Sequence, residues 1–136
     1  MADRITEVAN QQPPFSHLLG MKLISATADK VVIEMLAAPE LMNRNGVLHG
    51  GAVIALADNI GGTLAMVNIA EGDSTTTMES KTNFFRSVPP GDLVRAEAVF
   101  LHKGRRTMVV QTSIYRSDGK LAAMVTQTQF TLPAEG

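Results

Sequence analysis

Residues 49 to 70, HGGAVIALADNIGGTLAMVNIA, form the longest apolar run of the chain. At that length the run is helical. One helix of this extent covers about 30 Å. Val53, Ile54, Leu56, Ile60, Leu64, Met66, Val67 and Ile69 are distributed all round it, which predicts a helix enclosed by other parts of the protein. A membrane span fits poorly. Asp58, Asn59, Gly61, Gly62 and Asn68 interrupt the run, a central Asp alone costs about 3 kcal/mol to insert, and no basic flank sets an orientation.

The rest of the chain supplies the enclosure. Residues 21 to 36 read as two strands, with Val31, Ile33 and Met35 on one face and Ala28-Asp29-Lys30 as the turn. After the helix come four strands, at 74 to 86, 92 to 102, 105 to 116 and 120 to 132, separated by VPPGD, KGR and SDGK. Met108, Val110, Thr112 and Ile114 share one face of the third. Ala122, Met124, Thr126, Thr128, Phe130 and Leu132 share one face of the fourth. A sheet that must bury a helix curls around it. The expected class is α+β, a long central helix wrapped by a curved antiparallel sheet of about five to six strands. Part of the helix and one sheet edge remain for a second copy, so a homodimer is expected.

Residues 1 to 14 are polar and end at Pro13-Pro14. They are expected to be a flexible or loosely helical segment ahead of a single domain at 15 to 136. They contain no apolar signal core, which predicts a cytoplasmic protein. Twelve Lys+Arg against thirteen Asp+Glu, with six aromatics and no Trp, give neither the basic groove nor the stacking rings of a nucleic-acid binder. The absence of cysteine excludes disulfides, thiolate nucleophiles and Cys-based metal sites. His17, His49 and His102 lack metal-ligand spacing, so no metal is expected, and no Gly-x-Ser-x-Gly, Gly-x-Gly-x-x-Gly or P-loop occurs.

Two features carry chemistry. Asp58 is the only formal charge between Asn45 and Ala70. A carboxylate there must be paired, hydrogen-bonded, protonated or exposed in a cleft, and positions 54, 55, 61 and 62 offer it no cation. The choice is between a reactive carboxylate and a structural one bonded to a neighbouring strand or subunit. The second feature is Asn45-Gly46-Val47-Leu48-His49-Gly50-Gly51 at the helix start. Free N–H groups and the positive end of the helix dipole there suit a phosphate or a developing oxyanion. Close packing on a strand would use the same two glycines.

The stretch from Asn43 to Asp58, N-x-N-G-x-x-H-G-G-A-x-x-A-L-A-D, resembles the signature of hotdog-fold acyl-CoA thioesterases of the phenylacetate-degradation (PaaI-like) type. Asn83-Phe84-Phe85-Arg86, Pro90-Gly91-Asp92, Lys103-Gly104-Arg105 and Asp118-Gly119-Lys120 before a Thr/Gln-rich strand agree with it. The resemblance covers about residues 15 to 132. It implies hydrolysis of an acyl-CoA, aryl or short to medium chain, without a cofactor, since coenzyme A is part of the substrate. The Gly50 N–H would meet the thioester carbonyl, and Asp58 would be general base or nucleophile. Asn43 would position water or thioester, and His49 would support that loop. A threonine of the run Thr75-Thr76-Thr77 would orient the water, and the count back from Gly91 favours Thr77. Gly51, Arg86, Lys103, Arg105 and Arg106 are the candidates for holding substrate, the four cations through the CoA phosphates. The same resemblance favours a homotetramer. The competing function is a hotdog protein that binds acyl-CoA or another small ligand without hydrolysing it.

Spacing adds one constraint of its own. Gly50 and Asp58 lie eight residues apart, about 12 Å along one helix. A base must stand within about 3 Å of its proton or one water away. If both groups act on one thioester, they come from different subunits.

Overall fold

The structure, a computed structural model, describes residues 2–135. The elements run α1 (Ala2–Asn10), α2 (Pro14–Leu18), β1 (Met21–Ala26), β2 (Lys30–Leu36), a single 3-10 turn (Pro39–Leu41), α3 (Gly50–Met66), β3 (Ser74–Phe84), β4 (Leu93–Lys103), β5 (Thr107–Tyr115) and β6 (Leu121–Leu132). The six strands form one sheet in the order β1-β2-β4-β5-β6-β3, antiparallel throughout. The sheet curves around α3, as the alternation of strands and one apolar helix predicts, and no helix among the described residues is long and apolar enough to cross a membrane.

The core lies between α3 and the concave face of the sheet. Met108, Val110, Thr112 and Ile114 alternate inward along β5, and Val31, Ile33 and Met35 do so from β2. On β6 the helix-facing set is Ala123, Val125, Gln127 and Gln129, which pair across the ladder with Ile114, Thr112, Val110 and Met108. The set that alternation singled out, Ala122 through Leu132, mostly occupies the opposite and less buried face. Two glutamines therefore sit where apolar patterning expects aliphatics.

The helix is shorter than its apolar run. It ends at Met66 because the Asn68 side-chain amide turns back to donate to the Leu64 carbonyl at 2.8 Å and to Ala28 O at 2.9 Å, which satisfies a carbonyl of the last turn. Nor is it enclosed all round. Leu56, Ala57, Ile60 and Leu64 are fully buried, whereas Gly51, Ile54 and Asp58 are exposed at intervals of three to four residues, an open stripe on one side of α3.

The N-terminal segment carries the helix α1. Ile5 and Val8 pack on the core, and Gln12 is tied to α3 by an Asn59 Nδ2 bond of 2.9 Å and its own donation to Thr63 Oγ1 at 3.3 Å. Two apolar residues at i, i+3 are enough to dock a segment whose composition is otherwise polar. At the far side of the fold the Arg116 guanidinium holds the Asp118 carboxyl at about 2. That ion pair, with the Lys120 N–H donating to Asp118 at 3.0 Å, shapes the β5–β6 turn around Gly119, whose φ of 83° favours glycine.

The paired glycines Gly61-Gly62 serve different purposes. A Cβ at position 61 would lie 2.4–2.8 Å from the Gln127 amide, whereas one at position 62 would meet nothing within 4 Å. Gln127 is itself buried, so it cannot swing aside into solvent. Gly61→Ala is expected to lower the melting temperature: overpacking costs about 1–3 kcal/mol, and the better helix propensity of Ala returns only about 1 kcal/mol. Gly62→Ala is expected to raise it by the same propensity gain. Thermal denaturation of the two variants beside the native protein checks both signs.

Candidate active site

β3 is the edge strand next to β6. Its ladder shifts register between Thr77 and Glu79, leaving Met78 as the extra residue. Such a bulge reverses the alternation of a strand. Before it, Thr75 and Thr77 face α3; after it, Thr82 and Phe84 do. One strand thereby delivers a hydroxyl to the middle of the helix and an aromatic ring to its start.

Of the three candidate threonines, Thr77 is the one that reaches the carboxylate, donating its hydroxyl to Asp58 Oδ1 at 2.8 Å. Asp58 is exposed and, among the described residues, forms no ion pair. Of the possibilities open to an isolated helical Asp, it takes two: it is hydrogen-bonded and it stands in a cleft. That cleft, about 500 Å³, runs between α3 and the first residues of β3, with Thr63, Met66, Thr75 and Gln129 in its wall and Val8 and Gln12 closing its far end. Met66 supplies apolar wall to this cleft. Leu64 is fully buried against the sheet, and Phe84 lines a different cleft.

The helix start is built around a histidine cap. His49 has extended backbone (φ −62°, ψ 134°) and its Nδ1 accepts the Gly51 N–H at 2.8 Å. A Cβ on Gly51 would lie 2.9 Å from that nitrogen. The Gly51 N–H is therefore taken by the cap. The Gly50 N–H occupies the first helical position, which has no intrahelical acceptor, and it finds none among the described residues. Gly50 lines a second cleft of about 390 Å³ together with Asn43, Phe84 and Arg86. Asn43 faces this cleft, but its Oδ1 is taken by the N–H groups of Asn45 (2.9 Å) and Val47 (3.2 Å); it folds the loop that presents Gly50.

The four candidate cations for the CoA phosphates stand in two places. Arg86 stands at the Gly50 end, one guanidinium nitrogen bonded to Leu121 O at 2.8 Å. Lys103, Arg105 and Arg106 stand beyond the other end of α3, where Lys103 Nζ donates to Asn68 Oδ1 at 2.6 Å. The structure thus brings Thr77 to Asp58 and Arg86 to Gly50. Within one chain it leaves Asp58 and Gly50 in separate clefts, about 12 Å apart along the helix.

A family model for the thioesterase superfamily matches residues 45–123, the span from the helix cap to β6. The chain belongs to this superfamily. A putative esterase of Saccharolobus solfataricus is 31% identical over 119 residues, 88% of this chain and 84% of that relative. Among solved structures, the PaaI protein from the phenylacetic acid degradation operon of E. coli superposes with a TM-score of 0.89 at 21% identity, covering 98% of this chain and 94% of the other. A protein of Streptococcus mutans, solved bound to acetyl-CoA, gives 0.79 at 24% identity over 86% and 92%. The fold is the hotdog fold of PaaI-type thioesterases, and thioester hydrolysis is the activity that superfamily membership assigns.

Proposed function

We propose that the protein hydrolyses an acyl-CoA to a carboxylic acid and free coenzyme A, at a site completed by a second copy of the chain. The observation that carries this reading is the division of labour along α3: a hydroxyl-supported carboxylate in one cleft and an unused helix-start N–H in another. Two copies with antiparallel helices place Asp58 of one chain opposite Gly50 of the other. The open stripe of α3 with Ile54, and the unpaired edge of β3, where Met78 is 64% and Phe84 54% exposed, supply the apolar and hydrogen-bonding surface such a pairing needs.

At that site Asp58 takes a proton from water as the water oxygen attacks the thioester carbonyl, and Thr77 fixes the carboxylate. The negative charge that forms on the carbonyl oxygen is met by the Gly50 N–H and the helix dipole, an interaction stronger in the transition state than in the bound substrate. Collapse of the tetrahedral species expels the CoA thiolate. Arg86 shares the Gly50 cleft and is placed to meet a CoA phosphate. The basic turn of Lys103, Arg105 and Arg106 lies roughly 15 Å beyond Asp58 along its own helix, where it can meet another. The acyl group occupies the cleft between Asp58 and Gln12, whose volume suits an aryl or short to medium acyl chain.

Because the chain has no cysteine, released thiol can be followed colorimetrically with no protein background. Incubation with a panel of aryl and aliphatic acyl-CoAs is expected to release free CoA catalytically from at least one. Saturable acyl-CoA binding with no thiol release from any of them would make the protein a ligand binder.

A further inference from the structure

Gln129 is 1% exposed on the helix-facing side of β6. A buried primary amide is costly unless both its ends are bonded. Here they are: Thr75 Oγ1 donates to Gln129 Oε1 at 2.9 Å, and Gln129 Nε2 donates to Thr77 Oγ1 at 2.7 Å. Gln127, two residues earlier on the same face and equally buried, has neither end bonded among the described residues. The pairing at 129 is thus specific to that position. It arises because Thr77 lies directly opposite Gln129 in the β3–β6 ladder, on the N-terminal side of the Met78 bulge.

The direction of each bond follows from what its partner can do. An ionised carboxylate only accepts, so the Thr77 proton is the one that reaches Asp58. Thr77 has a single proton and must then accept from Gln129, which requires the amide nitrogen on that side. The amide oxygen is left for Thr75, whose proton holds it there. Hydroxyl, amide, hydroxyl and carboxylate form a one-way chain from Thr75 to Asp58, and each bond polarises the next. Without Gln129, the Thr77 hydroxyl is free to turn toward other acceptors in the cleft.

We propose that Gln129 is a positioning residue of the reaction: anchored by Thr75, it locks the Thr77 hydroxyl as a donor to Asp58 and so fixes the carboxylate in the cleft. This rests on the assignment of Asp58 as the base. Gln129 stands in the wall of the cleft, and it acts on the carboxylate through Thr77.

The test compares kcat and KM for thiol release by the native protein, Gln129→Met, Thr77→Val, the double variant and Gln127→Met. Gln129→Met is expected to lower kcat roughly tenfold with KM within about twofold, since positioning losses fall on the chemical step. The double variant is expected to be no slower than Thr77→Val alone, and Gln127→Met to keep the native kcat. A native kcat in Gln129→Met, or a loss that multiplies with that of Thr77→Val, overturns the proposal. A second measurement needs neither turnover nor a foldable Gln129 variant. In the 15N-labelled native protein, the Gln129 side-chain amide protons are expected to exchange slowly with solvent and to shift in Thr77→Val. Rapid exchange, or no shift, overturns the clamp. Should the native protein release no thiol from any acyl-CoA, the proposed function fails by itself, and the amide signals still decide whether the chain of bonds exists.

Discussion

Asp58→Asn is expected to abolish most turnover while leaving the fold intact. Asparagine has the same shape, and its Oδ1 still accepts from Thr77 at the position where the carboxylate does now, at 2.8 Å. The lone pair that accepts the proton of water is gone. General-base catalysis contributes typically 10²–10⁴-fold, so kcat should fall by about that factor with KM nearly unchanged. Stability should barely move, because Asp58 is exposed and makes no ion pair among the described residues. Thiol release and melting temperature measured on the same preparation separate the two roles. A variant that keeps more than about one tenth of native kcat would show that Asp58 is not the base.

Gly50→Pro is the second large effect, and the backbone permits it. Proline is tolerated at the first helical position, where the missing N–H had no intrahelical partner. The preceding residue must be extended, and His49 already is, at ψ 134°. The added Cβ meets only the Phe84 ring, at 3.3 Å, and that ring is largely exposed and free to give way. The substitution removes one hydrogen-bond donor and little else. Loss of an oxyanion donor costs about 10²–10³ in kcat, and the variant should show that loss with an unchanged melting temperature.

Much of this was legible in the sequence because it depends on patterns that are local. The apolar run from 49 to 70, the turn glycines and the strict alternation in 107–115 determine the helix, the hairpins and the inner face of β5. The isolation of Asp58 and the Gly-Gly helix start mark the two candidate groups, and the eight-residue gap between them requires two chains if both act on one thioester. The misses share a physical cause, which is that polar side chains can be bonded internally. Gln129 looks like a surface residue, yet both ends of its amide are bonded inside the fold, and alternation along β6 does not say which of its faces meets the helix. His49 capping Gly51 through Nδ1 cannot be read from a Gly-Gly pair. Asn68 ends the helix inside its own apolar run through bonds to residues 4 and 40 positions away. Charge counting groups Arg86 with the cations near 103–106, which the fold sets at opposite ends of α3.

In the proposed enzyme each site draws on two copies of the chain, and mixing two inactive variants checks this. Gly50→Pro keeps Asp58, and Asp58→Asn keeps Gly50. Coexpressed with different tags, they form mixed dimers in which one site holds Asp58 from the first chain and the Gly50 N–H from the second, while the other site holds neither. With random pairing half the dimers are mixed, so thiol release should recover to about one quarter of the native rate, and purification through both tags should raise it to about one half. If the mixture stays as inactive as its parents while both variants fold and associate, the two groups do not meet across the interface and the account is wrong.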